Sequence, residues 1–166
     1  MKKRAFPKEL KFGTYLPQRQ GMSYIKLNDL AAALERFIGE YFSQSTLLSS
    51  AVNFSSSDAV LIDGEYTAYL FRNIMSALSV NEGVNISFTC GAESFTVAFS
   101  KKSGAFDIED AVLAQKILEA ASLSGFRMSI AGNTLLFSAK MERDKLVISA
   151  LTKDVFFDIL EHVFFD

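Results

Sequence analysis

The strongest constraint in this chain is the run 84–90, where apolar and polar side chains alternate without a slip. Val84, Ile86, Phe88 and Cys90 fall on one side, Asn85, Ser87 and Thr89 on the other. Successive side chains of an extended strand point to opposite faces, so this run is a strand with one buried and one solvated face. Phe95, Val97 and Phe99 repeat the pattern after the short loop Gly91–Ser94, which makes a hairpin. Phe126–Ile130 and Leu135–Lys140 flank the turn dipeptide Gly132-Asn133 and predict a second hairpin.

Helical periodicity fills the spaces between. Leu27, Leu30, Leu34, Phe37, Ile38, Tyr41 and Phe42 recur in steps of three and four, with Asn28 or Asp29 placed to cap the start. Asp63-Gly64 makes a turn into a helix over 65–79, which Asn81-Glu82-Gly83 closes. A third helix is expected from about Ile108 to Leu123, stopped by Ser124-Gly125, and a short one over 154–165. Short β-like runs at Leu47–Phe54, Ala59–Ile62 and Lys145–Leu151 complete the order. The expectation is an α+β two-layer sandwich, with helices packed on one face of a mixed β-sheet.

At 166 residues, 49% hydrophobic and 22% charged, the chain is long enough to bury a core unaided and too apolar for disorder. Four segments are expected: a basic irregular N-terminal arm (1–26), an N-terminal helix and candidate dimerisation element (27–44), a sandwich domain (45–151) and an apolar C-terminal helix (152–166). The arm holds seven Lys/Arg and one Asp/Glu, a net of +6, which leaves −8 on the rest of a chain whose total is −2. That balance favours an arm lying on its own acidic body over one that grips nucleic acid. No apolar run reaches the roughly 18–20 residues of a membrane span, so a cytoplasmic protein is expected. One cysteine and one histidine exclude a disulfide framework, a thiolate zinc site and His-rich metal clusters.

A family resemblance enters at residues 62–78. Asp63 opens a helix and is followed ten residues later by Asn73-Ile74-Met75-Ser76-Ala77-Leu78. This resembles the nucleotide-binding helix of the histidine-kinase-like ATPase domains, the superfamily shared with gyrase B and MutL. The hairpin 83–99 is similar to the one that precedes the family's adenine-recognition motif, and the helix ending at Ser124-Gly125-Phe126 with the hairpin 126–141 is similar to its closing elements. The resemblance covers about residues 45–141 and implies the superfamily's fold. It also implies where a nucleotide pocket lies: at Asn73, Ala77, Lys101, Ser103 and Gly104.

Three departures follow from that resemblance. Ala77 stands where the family carries a magnesium-ligating asparagine. Lys101 stands where an aspartate accepts a hydrogen bond from adenine, and an ammonium only donates. No glycine occurs between Gly104 and Gly125, where the family's phosphate lid is glycine-rich. The expectation is therefore a non-catalytic, pseudo-ATPase domain of signal transduction, with no metal site, no catalytic residue and no cofactor. The alternative is a divergent nucleotide-binding ATPase or phosphotransfer protein that uses ATP and magnesium in a remodelled pocket, with Lys101 and Lys102 on the phosphates.

Other residues carry less. His162 beside Glu161 reads as a solvated helix-end histidine. Cys90 reads as a small hydrophobe on the inward face of its strand. Ser55, Ser56 and Ser57 lack a nucleophile elbow and read as loop. Asp107, Glu109 and Asp110 complement the positive end of the third helix. The terminal helix is apolar almost all round, which requires burial on more than one side. Self-association or a protein partner at helices 28–42 and 154–165 stands against simple self-burial.

Overall fold

The computed structural model describes residues 17, 21–41, 47–50, 58–77, 84–91, 93–101, 111–142 and 151–165. In chain order its elements are β1 (Ser23–Lys26), α1 (Leu27–Tyr41), β2 (Leu47–Ser50), β3 (Ala59–Ile62) and α2 (Gly64–Ala77). Then follow β4 (Val84–Cys90), β5 (Ser94–Lys101), α3 (Ala111–Ser124), β6 (Arg127–Ala131), β7 (Thr134–Glu142) and α4 (Lys153–Phe165).

Both expected hairpins form. β4 pairs with β5 from Val84↔Lys101 to Cys90↔Phe95, and β6 pairs with β7 across a two-residue turn that closes at Ala131↔Thr134. Gly132 takes φ 61° in that turn, a conformation a side chain would strain. β5 and β7 pair along seven residues, which locks the two hairpins into one seven-stranded sheet of order β1-β3-β7-β5-β4-β2. β6 and β3 share the second edge of β7: β6 lies opposite residues 134–138 and β3 opposite 141–142. The β2–β4 pairing is parallel, so the sheet is mixed. Val84, Ile86, Phe88, Phe95, Val97, Phe99, Leu135 and Phe137 are buried on one face, as the alternation requires.

Helices cover that face. α2 packs between α3 and α4, and α1 packs on α4. Phe37 of α1 is the hub of this layer, with ring centroids 4.9 Å from Tyr41, 4.7 Å from Phe164, 6.1 Å from Phe157 and 6.5 Å from Phe71. Tyr41 donates its hydroxyl hydrogen to Glu161 of α4, and the Arg36 guanidinium stacks 3.9 Å from the centre of the Phe157 ring. The nearly all-round apolarity of α4 is thus used within the chain: Phe156, Phe157, Leu160, Val163 and Phe164 are buried, and Val155 is its one large apolar residue left exposed.

Two expectations need correction. Residues 23–26, read as the end of an irregular arm, are a strand, because Ile25 is fully buried opposite Val60 and Leu151 bridges to it. α1 starts at Leu27, directly after that strand, so Asn28 and Asp29 lie inside its first turn rather than capping it. The Leu27 N–H is satisfied by the Asp58 carbonyl at 3.0 Å. α3 is described from Ala111, and the start expected near Ile108 lies outside the described residues. The strand expected over 145–151 lies outside the described residues except for Leu151.

Candidate functional site

α2 carries the residues on which a site depends, and its entry is fixed by Asp63. That carboxylate is fully buried. Its Oδ1 accepts the Tyr66 N–H at 3.1 Å, the helix-capping bond, while its Oδ2 accepts the Gly21 N–H at 3.2 Å. The Asp63 carbonyl accepts from both the Thr67 N–H at 2.9 Å and the Thr67 hydroxyl at 2.7 Å. Its own N–H donates to the Ser124 carbonyl at 3.2 Å, which ties the start of α2 to the end of α3.

Successive residues of a helix turn by 100°, so α2 presents distinct faces. Thr67, Leu70, Phe71 and Ile74 face the sheet and, with Phe99, Phe137 and others, enclose a space of about 40 Å³. Thr67 is the polar residue among those lining it, and its hydroxyl is committed to Asp63. A water there would lack the two to four polar partners it needs, so this space is apolar filling and no polar-ligand pocket. Gly64 and Phe71 turn toward α4: Gly64 lies against Leu151 and Ile159, and Phe71 sits 5.6 Å from the Phe164 ring.

Asn73 lies on the flank of α2 opposite Gly64. It is fully buried, and neither its amide oxygen nor its amide nitrogen has a hydrogen-bond partner among the described residues. Asp63 is the helix cap that its position in the sequence suggested. Ala77, one turn beyond Asn73, is the last residue of α2. Lys101 ends β5 opposite Val84. Ser103 and Gly104 lie outside the described residues, as do Lys102, Ser55–Ser57, Asp107, Glu109 and Asp110. Asn73 and Ala77 are thus one turn apart along α2, and Lys101 is at the end of β5.

Two buried charges were not anticipated. Glu65 and Arg72 belong to the α2 face turned away from the sheet, with Tyr69 between them, yet all three are buried. Their i, i+4, i+7 spacing was legible as a face, but nothing in it signals burial of charge. His162 is exposed in the last turn of α4, and Cys90 ends β4. Among the described residues no three of His, Cys, Asp and Glu are grouped closely enough to hold a metal ion, and no helix is long and apolar enough to cross a membrane.

No family model matches the sequence, and no curated protein matches it. Solved structures do match. The catalytic domain of histidine kinase ThkA, in a nucleotide-free form, aligns with 75% of this chain and 97% of its own at a TM-score of 0.51 and 10% identity. The fold is that of a histidine-kinase catalytic domain. Histidine kinase AdeS of Acinetobacter baumannii aligns with 77% of this chain and 70% of its own, at TM-score 0.46 and 12% identity. A histidine kinase from Burkholderia phymatum STM815 aligns at 74% and 72%, TM-score 0.42 and 13% identity. The α+β sandwich with helices on one face of an open mixed sheet is the architecture that the sequence predicted.

Proposed function

We propose that this chain is a non-catalytic regulatory domain of signal transduction, built on the histidine-kinase catalytic fold and acting through protein contacts rather than ATP turnover. The observation that carries this reading is the state of Asn73. The first amide of the resembling motif is wholly buried, so a nucleotide or metal ion reaches it only if what covers it moves aside. The donor set around it points the same way. Ala77 offers no oxygen to a hard cation, and Lys101 cannot accept from an adenine amine. The residues present do not fit magnesium–ATP.

Protein contacts at α1 and α4 use the residues that the packing leaves outside. Their apolar faces are spent on each other and on α2, which leaves Asn28, Glu35, Arg36, Val155 and Asp158 exposed. A homodimer or a protein partner meeting these helices finds a largely charged surface.

One observation favours the second reading. A buried amide with neither polar atom partnered among the described residues costs about 1–3 kcal/mol for each lost bond, and a nucleobase or hydrated cation admitted beside it would recover it. Calorimetric titration of the full chain with ATP and magnesium separates the two. The regulatory reading expects no saturable heat up to millimolar nucleotide. A magnesium-dependent micromolar constant that Lys101→Ala abolishes would replace it with the divergent-ATPase reading.

A further inference from the structure

We propose that the outer edge of β6 is a self-association surface, at which a second copy of this chain adds its own β6 antiparallel and extends the sheet across a two-fold axis. This inference is independent of the reading of the nucleotide site. Because Ala131↔Thr134 closes a two-residue turn, Arg127, Ser129 and Ala131 spend their backbone groups on β7. Met128 and Ile130 point theirs the other way, and among the described residues nothing pairs with them.

Two features distinguish this edge from the other end of the sheet. β1 receives Leu151 in a bridge at Ile25, whereas β6 has Arg127 at its start as its one charged guard and carries no proline, no bulge and no lysine. Ile130 also faces the helix side of the sheet, where it should be covered, and is instead 53% exposed. α3, which packs over β6, leaves Leu118 exposed at 46%.

A second copy fits because the strand is complementary to itself. A two-fold axis at Ser129 sets Met128 against the partner's Ile130 and the reverse, using all four free backbone groups at each edge in four hydrogen bonds. The same register covers Ile130 with a methionine and sets Arg127 against the partner's Ala131, so the two guanidiniums do not face each other. Five residues at about 3.4 Å each, in two layers about 20 Å deep, bury roughly 340 Å² per copy. A stable interface needs about 800 Å² per partner, so the dimer is weak and concentration-dependent.

Ser129 provides the test. In this register it meets its own symmetry mate at a non-hydrogen-bonded position, with Cα atoms about 4.5 Å apart, within disulfide reach. Ala131→Cys, which also carries Cys90, meets Arg127 instead and serves as the control. Under mild oxidation of the full chain, Ser129→Cys is expected to cross-link at least about tenfold faster than Ala131→Cys. Sedimentation of the unmodified chain should give a concentration-dependent dimer. Ile130→Pro removes an outward N–H that β7 does not use, and should weaken that dimer about tenfold or more. A chain that stays monomeric to millimolar concentration, equal cross-linking of the two variants, or a dimer that Ile130→Pro leaves intact would overturn the proposal.

Discussion

Toward α4, helix α2 meets rings; on the opposite flank it carries a buried amide. On the first flank Phe71 joins Phe37, Phe164 and Phe99 with centroids 5.6–6.5 Å apart. Such pairs contribute about 0.5–1.5 kcal/mol each beyond the area they bury. α3 contributes Ile117, Ala120 and Ala121 to the core, and on the flank of α2 away from α4 Asn73 is buried with neither amide atom partnered among the described residues. An apolar residue would be better for packing at that position. The difference teaches that one helix serves two purposes: the α4 flank stabilises the layer, whereas the opposite flank holds a polar group that packing alone does not call for.

If that division is right, the largest loss of stability comes from the aromatic side. Phe37→Ala should cost about 3–5 kcal/mol, read from denaturant unfolding. A loss under about 1 kcal/mol would mean that the rings do not hold the layer. α3 should respond through its backbone. Gly125 ends α3 at φ 105°, and a Cβ there would stand 3.0 Å from both the Leu61 carbonyl oxygen and the Met22 methyl. Gly125→Ala should therefore destabilise by about 1–3 kcal/mol. Its amide and that of Phe126 both reach the Ala121 carbonyl, at 3.1 and 2.8 Å, so the strain falls on the junction of α3 with β6. Asp63→Ala removes the cap of α2 and the tie to Gly21, and should cost about 1–2 kcal/mol in the same assay. A neutral result would dissociate the start of α2 from the segment before β1.

Much of the fold could be read from the sequence because its signals were local. The alternation at 84–90 and 95–99 and the Gly132-Asn133 turn each act within a few residues, and all three features formed. β1 was missed for the opposite reason. Four residues give too short an alternation, and what orders Ile25 is tertiary: Val60 on one side and Leu151 on the other. The cap of α1 failed similarly, since its first amide is taken by a carbonyl from Asp58, 31 positions away in sequence. The site was legible as residue types only. The resemblance named Asn73, but a helical pattern does not reveal which flank tertiary packing will close over, so its burial could not be read from the sequence. For α4, a dozen residues apolar on every side announced burial without saying against what; α1 and α2 supply the answer.

The most direct trial of the central claim is the unfolding free energy of the chain and of Asn73→Leu, each with and without saturating magnesium–ATP. A buried, unpartnered amide exchanged for a side chain of similar size should leave the variant about 1 kcal/mol more stable, and the nucleotide should change neither protein. If magnesium–ATP instead stabilises the natural chain by about 2.7 kcal/mol, the value for a ligand at one hundred times its Kd, and does nothing for Asn73→Leu, then Asn73 belongs to a working nucleotide site and the regulatory account is wrong.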